Sequence, residues 1–123
     1  MTILDIAGVK QPKKYRGQVV LPIQGKSMKS HLAGKTGSVH GQKHTIGFEF
    51  LGWRGVRAGD LKATWISKPF GKAGWELFDL AKDPGETKDL SAQNPAELKR
   101  LEKLWGEYAD KVGVVLPEKL LGQ

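Results

Sequence analysis

Three histidines, His31, His40 and His44, are the side chains of this sequence best suited to proton transfer or metal binding. A protein metal site also needs cysteine or acidic ligands nearby, or a helix that places two imidazoles on one face. The sequence has no cysteine, and no acidic residue stands between the three histidines. We therefore predict no metal site on this chain.

Other patterns with a known catalytic role are also missing from the sequence. We find no phosphate-binding glycine motif, no EF-hand spacing and no catalytic dyad. The lack of cysteine excludes a disulfide framework as well. The residues by themselves therefore do not predict an enzyme.

The uneven distribution of charge is a second feature that could bind a ligand. The net charge is +7, and residues 1–72 carry 13 Lys and Arg against 3 Asp and Glu. A small basic module for nucleic acid or another polyanion is thus an alternative function. Its basic residues would be Lys13, Lys14, Arg16, Lys26, Lys29, Lys35 and Lys43. We do not favour it, because basic and aromatic residues do not interleave as they do in RNA-binding modules.

Length and hydropathy predict one small globular domain. With 123 residues and 39% hydrophobic residues, the chain can bury a modest core. No apolar run approaches the roughly 20 residues that cross a bilayer, and the N-terminus does not resemble a signal peptide. We expect no membrane association, and the compartment stays open.

The middle of the chain has the two-residue period of β-strands. Ile46, Phe48 and Phe50 alternate with other residues, and further short strands follow at 56–57, 61–67 and 75–80. Glycine-containing segments separate them, with a break assigned to residues 52–55 and another to 58–60. We predict a four-stranded antiparallel meander whose Trp and Phe side chains lie mainly in its core.

The last third of the sequence predicts one amphipathic helix. Asn94-Pro95-Ala96-Glu97 is typical of a helix start, and Gly113 of a helix end. Between them one apolar stripe recurs at spacings of three and four: Leu98, Leu101, Leu104, Trp105, Tyr108, Ala109 and Val112. We expect this helix to pack on one face of the sheet.

The N-terminal segment predicts short helices and irregular connections. One helix candidate, residues 3–7, ends at Gly8, and a second begins at Ser27 and ends at Gly34. Residues 10–25 read as an irregular connection. The fold class is therefore α+β: a small four-stranded antiparallel sheet, a C-terminal amphipathic helix on one face, and an irregular N-terminal segment with short helices.

A tight corner is predicted between the last strand and the long helix. Asp83 is a suitable cap, Pro84 suits the first helical position, and Glu86 is placed to reach back to the cap.

These motifs together resemble the C-terminal part of bacterial arylsulfatases of the formylglycine-dependent family. The resemblance covers nearly the whole chain, in the family's order. Its motifs are Leu4-Asp5-Ile6-Ala7-Gly8-Val9, Gly47-Phe48-Glu49-Phe50, Arg54-Gly55-Val56-Arg57, Gly59-Asp60-Leu61-Lys62, Trp75-Glu76-Leu77-Phe78-Asp79-Leu80, Asp83-Pro84-Gly85-Glu86, Asp89-Leu90, Trp105, Tyr108 and Gly113-Val114-Val115.

The resemblance implies two regions and an incomplete catalytic apparatus. Residues 1–44 would be a remnant of the catalytic-domain edge with its connecting loops, and residues 45–123 the C-terminal subdomain. The family's nucleophile is an aldehyde made within Cys/Ser-x-Pro-x-Arg, but here Ser67-Lys68-Pro69 is followed by Gly71 where arginine is required. Formylglycine and calcium are thus expected only in a catalytic domain, and this chain alone is predicted to be inactive.

The resemblance also implies partners and one candidate pocket residue. His40 lies in a loop whose family counterpart carries a histidine, so it is our candidate for contact with substrate. The expected partner is the catalytic domain of a sulfatase, with self-association through an exposed N-terminal face as the alternative. Family members occur in the cytoplasm or the periplasm, which leaves the location undecided.

Overall fold

A computed structural model describes residues 1–41 and 44–116 of the chain. The chain forms two compact units, Met1–Gly41 and Gln42–Gln123. We call them the N-terminal unit and the sheet unit, and we describe each by itself. Within the described residues, no helix is long and apolar enough to span a membrane.

The N-terminal unit contains α1 (Thr2–Ile6), β1 (Lys14–Tyr15), β2 (Gln18–Val19) and α2 (Lys29–Leu32). Both predicted short helices are present, and the glycines predicted to end them have positive φ angles, +67° at Gly8 and +69° at Gly34. The segment predicted to be irregular contains a minimal antiparallel hairpin, β1–β2. Strands of two residues are too short for the alternation that identifies strands in a sequence.

Polar contacts connect the two helices of the N-terminal unit. The Ser27 hydroxyl donates a hydrogen bond to the Asp5 carboxylate at 2.5 Å, and the Lys29 ammonium donates one to the Asp5 carbonyl at 3.0 Å. The Met28 N–H donates to the Thr2 hydroxyl at 3.0 Å. The contacts that hold α1 and α2 together are therefore largely polar and partly exposed.

The sheet unit is an antiparallel meander with one long helix. Its strands are β3 (Thr45–Phe50), β4 (Trp53–Ala58), β5 (Leu61–Trp65) and β6 (Trp75–Asp79), in the order β3-β4-β5-β6. The helix, α3, spans Pro95–Val112 and ends at Gly113, whose φ is +73°. This architecture confirms the predicted fold class, including the start and end of the long helix.

The core of the sheet unit lies between α3 and one side of the sheet, which we call the helix face. Its buried residues are Val56, Ala63 and Leu77 from the strands and Leu101, Trp105 and Ala109 from the helix. The register places the three strand residues side by side, since Val56 pairs with Ala63 and Ala63 with Leu77. Burying these apolar side chains is the main driving force for this unit.

A glycine sets the distance between α3 and β3. A Cβ added at Gly47 would overlap the ring of Tyr108, so the ring lies directly on the strand backbone. Since neighbouring residues of a strand point to opposite sides, Ile46 and Phe48 are directed away from the helix.

The turn between β3 and β4 is shorter than the sequence suggested. It consists of Leu51 and Gly52, both with positive φ (+52° and +88°), as in the two-residue turns that join hairpin strands. The expectation of a break over residues 52–55 was therefore wrong, since Trp53, Arg54 and Gly55 lie within β4.

The predicted corner is present, but it is a turn without a helix. The Asp83 carboxylate accepts hydrogen bonds from the Thr87 and Lys88 N–H groups at 2.7 and 2.8 Å. These bonds, the one from Lys88 first, hold the pKa of Asp83 below its usual range. Glu86, predicted to reach back to the cap, instead has φ +55° and forms an ion pair with Lys62 of β5 at 2.6 Å.

Asp89 closes the outer edge of β6. Its carboxylate accepts hydrogen bonds from the Leu77 N–H at 3.1 Å and the Ser91 N–H at 2.8 Å, while the Leu90 N–H donates to the Leu77 carbonyl at 2.8 Å. Burial alone would raise the pKa of Asp89, but bonds from Ser91, Leu77 and Lys72 lower it to about 2. The backbone N–H and carbonyl of Leu77 on the outer edge of β6 therefore both have hydrogen-bond partners.

Candidate functional site

The three histidines do not form a single site in the part of the chain that the structure describes. His31 lies in α2, where its Nδ1 is 3.1 Å from the Thr36 carbonyl oxygen and donates to it. His40 also lies in the N-terminal unit, whereas His44 belongs to the sheet unit. Across residues 1–41 and 44–116, no group of three His, Cys, Asp or Glu side chains is arranged to hold a metal ion.

His40, the predicted pocket residue, is exposed in a bend near the end of the N-terminal unit. The Ser38 hydroxyl donates a hydrogen bond to the His40 carbonyl at 2.5 Å and accepts one from the His40 N–H at 3.3 Å. These bonds fix the backbone on which the imidazole is carried. Its role at a substrate stays a prediction.

Ser67, the only serine in a Ser-x-Pro sequence, has a structural environment. Its hydroxyl accepts a hydrogen bond from the Trp53 indole N–H at 3.0 Å, and its carbonyl accepts bonds from the Phe70 and Gly71 N–H groups at 3.1 and 3.0 Å. A Cβ at Gly71 would overlap Ile66, so a longer side chain at this position would displace its surroundings. The position that requires arginine in the resembling family is therefore closed by packing.

The side of the sheet opposite α3 lies outside the core of the sheet unit. Register places ten positions on this side, which we call the open face: Ile46, Phe48, Phe50, Trp53, Gly55, Arg57, Lys62, Thr64, Glu76 and Phe78. Ile46, Phe48 and Phe50 are exposed by 47%, 43% and 64%. Large apolar side chains in one continuous area of a protein surface usually mark an interaction site.

Three aromatic rings form a cluster at one end of the open face. Trp53 packs edge-to-face against Phe50, with ring centroids 6.3 Å apart, and against Phe70, with centroids 5.6 Å apart. Phe70 is 76% exposed. The expectation that the aromatic residues lie mainly in the core was correct for Trp105 but wrong for Phe48, Phe50 and Phe70. Phe78 is buried, although it lies on the open face.

Phe48 lies flat on the sheet instead of in the core. A Cβ at Gly55 would overlap its ring, so the glycine gives the ring its place on β4. The Lys62 ammonium is 5.8 Å from the centre of the same ring, a distance at which a cation is attracted to an aromatic face.

A depression of about 400 Å³ lies on the open face beside these rings. Its charged lining residues are Arg54, Lys62, Glu76 and Glu86. Lys62 and Glu86 form an ion pair at 2.6 Å, and Glu76 forms one at 2.8 Å with Lys72, which lies outside the lining. Sequence reasoning missed this site, because the Lys62–Glu86 pair joins residues 24 positions apart that share no local pattern.

The N-terminal unit has a different surface: none of residues 1–41 is buried. Its exposed large apolar side chains are Met1, Ile3, Ile6, Val9, Tyr15, Val19, Leu21, Ile23, Met28 and Leu32. A segment of this length without buried apolar residues lacks the stabilisation that offsets the entropy of ordering its chain.

The basic residues of this unit are also on its surface. Lys13, Lys14 and Arg16 of the β1–β2 hairpin are exposed, and the Arg16 guanidinium is 5.4 Å from the centre of the Tyr15 ring. Asp5 is the one acidic residue among positions 1–41. The basic residues of the hairpin are therefore accessible, while Lys43 of the same predicted set lies outside the described residues.

The chain has relatives among known protein sequences. The chain is 37% identical over 116 residues to a Schizosaccharomyces pombe protein named as an uncharacterized sulfatase, a match that covers 93% of this chain and 21% of the relative. The chain thus spans about a fifth of the length of the curated relative. No family model matches the chain.

Solved structures that share its fold include the following two. One, from work on glycosaminoglycan metabolism by Bacteroides thetaiotaomicron, has a TM-score of 0.63 and 16% identity over 87% of this chain and 23% of that one. The other, solved with its substrate D-glucosamine-2-N,6-O-disulfate, has a TM-score of 0.58 and 24% identity over 89% of this chain and 22% of that one. In each case the shared part is about a quarter or less of the neighbour. These comparisons confirm the resemblance drawn from the motifs: the chain corresponds to a C-terminal-like part of a sulfatase.

Proposed function

We propose that this chain is a non-catalytic part of a sulfatase and that its N-terminal unit packs against the catalytic domain. The observation that carries the proposal is the absence of any buried residue in 1–41, although ten large apolar side chains are exposed there. An apolar surface of this kind is stabilised when a partner covers it. The matched relative extends well beyond the match, so its remaining length supplies such a partner.

The complete enzyme, in this proposal, hydrolyses sulfuric esters. Such a reaction needs a nucleophile aimed at sulfur and cations that neutralise the sulfate oxygens. The described residues of this chain do not fit a formylglycine or calcium site, because Ser67 is held by Trp53 and no acidic cluster is present. We therefore assign both groups to the catalytic domain and propose that this chain supports that domain.

We propose that His40 is the residue that this chain contributes to the substrate pocket. An imidazole can donate a proton or a hydrogen bond to an anionic oxygen. The bend fixed by Ser38 carries it at the end of the N-terminal unit, the unit proposed to face the catalytic domain. In an assembled enzyme, His40→Ala would then lower turnover while leaving the association of the two parts unchanged.

Two measurements test the proposed function. The full chain is assayed with a chromogenic aryl sulfate and calcium, and we expect no hydrolysis above background. Activity that persists through repurification would contradict the proposal. The chain is also titrated with the separately produced remainder of the S. pombe sulfatase, meaning the part outside the match. We expect binding, and a folded remainder that does not bind would contradict the docking role.

A further inference from the structure

Besides the exposed apolar side chains of the N-terminal unit, the open face of the sheet unit carries an apolar surface of its own. Phe50 and Phe70, on either side of Trp53, are exposed by 64% and 76%. Phe50 and Trp53 line the depression of about 400 Å³ described above, and Phe70 packs against Trp53. Aromatic side chains gathered in this way are typical of the centre of protein interfaces.

We propose that this face is a separate docking surface, occupied by an uncharged apolar segment of the remaining sulfatase chain; this rests on the function proposed above. The core lies on the helix face of the sheet, so the exposed rings of Phe50 and Phe70 contribute little to the stability of the isolated unit. They become buried only when a second layer covers the sheet, as in proteins with layers on both faces.

The charges of the depression determine the chemistry of the occupant. Lys62 is paired with Glu86, and Lys72 is paired with both Glu76 and Asp89. A sulfated sugar would need unpaired cations, and a basic peptide would need unpaired carboxylates. The Arg54 guanidinium, the remaining charge of the lining, lies over the rings of Trp65 and Trp105. Since the charges of the depression are thus engaged within the sheet unit, an apolar segment is the occupant that this depression fits.

The positions of the paired charges also support a docking role. The Lys62 and Glu86 side chains are only 22% and 30% exposed, and they fix the turn that contains Glu86 against β5. The aromatic cluster lies at the β3–β4 end of the sheet. A preformed depression with fixed walls loses little freedom when it binds, which favours affinity.

The test uses variants of the full chain and the remainder of the S. pombe sulfatase as the binding probe. Phe50→Ser and Phe70→Ser each remove one exposed ring from the cluster. Val112→Ser is the matched control, because Val112 is 54% exposed near the end of α3 and outside both surfaces. Urea unfolding of each variant, followed by tryptophan fluorescence, verifies that the sheet unit remains folded.

We expect at least one of Phe50→Ser and Phe70→Ser to weaken binding at least about tenfold, the range of an anchoring side chain. The affinity of Val112→Ser should equal that of the wild type. If both ring variants bind like the wild type while the wild type binds, the inference is overturned and the proposed function stands. If the folded wild type does not bind, the proposed function fails as well. If instead sedimentation shows a dimer that Phe50→Ser dissociates, the occupant is a second copy and the inference is wrong.

Discussion

Replacement of Asp89 by asparagine removes the charge that closes the edge of β6. In the wild type, the carboxylate accepts hydrogen bonds from Leu77 and Ser91 and contacts the Lys72 ammonium at 3.1 Å. Its pKa is lowered from 3.8 to about 2. A difference of this size between the folded and unfolded pKa corresponds to about 2 kcal/mol of unfolding free energy at neutral pH.

The sign of the pH dependence follows from the lowered pKa. A carboxyl group with a depressed folded pKa stabilises the fold above its unfolded pKa, near 4, and this contribution is lost as the pH falls through the folded value. We expect Asp89→Asn to be about 2 kcal/mol less stable than the wild type at pH 7. Most of this difference should disappear between about pH 4 and pH 2.

Urea unfolding at several pH values measures this effect. All four tryptophans, Trp53, Trp65, Trp75 and Trp105, lie in the sheet unit, so their fluorescence reports on that unit alone. Asp110→Asn is the control, because this exposed residue of α3 carries the same charge, and it should change stability by no more than about 0.5 kcal/mol. Equal stability of Asp89→Asn and the wild type at pH 7 would refute the assigned role, as would a difference that stays constant down to pH 2.

Three further predictions follow from the same structure. Gly106→Ala should stabilise the sheet unit by about 1 kcal/mol in urea unfolding, because an added Cβ meets open space and alanine favours helix; a loss of stability would show that the position is packed. Gly47→Ala should destabilise it by about 2 kcal/mol or more, since its Cβ would overlap the Tyr108 ring, and an unchanged midpoint would contradict the close packing. Binding to a single-stranded oligonucleotide, if any, should not show the steep loss between about 50 and 200 mM salt that phosphate contacts produce; a steep slope would favour the polyanion alternative.

Elements with a long, regular pattern were predictable from the sequence. The apolar stripe between Asn94 and Gly113 has the helical period over 18 residues, and α3 has those limits. The strands were predictable because their alternation and the glycines between them agree, which left an antiparallel meander as the simplest topology.

The side to which each strand residue points was not predictable in the same way. Alternation in β3 shows that Ile46, Phe48 and Phe50 share a face, and apolar side chains usually define the core side. Here the small residue faces the helix instead, because Tyr108 lies directly on Gly47. A contact between residues 61 positions apart leaves no local signal, so the exposed aromatic cluster became visible only in the structure.

The candidate sites also differ in how much of each could be predicted from the sequence. The lack of a catalytic motif could be recognised from residue types alone, and the relationship to sulfatases from the order of short motifs. The Lys62–Glu86 pair and the depression beside it depend on packing between β5 and the turn at Glu86. The role of His40 depends on a partner surface outside this chain, and it stays a prediction.

Hydrogen exchange of residues 1–41, measured with and without the remainder of the S. pombe sulfatase, tests the central claim most directly. In the isolated chain, amides of this unit should exchange quickly, because none of its residues is buried. Binding of the remainder should slow exchange in this unit at least about tenfold, as expected when an apolar surface becomes covered. Rapid exchange that persists in the complex, or strong protection of residues 1–41 in the monomeric chain alone, would contradict the account.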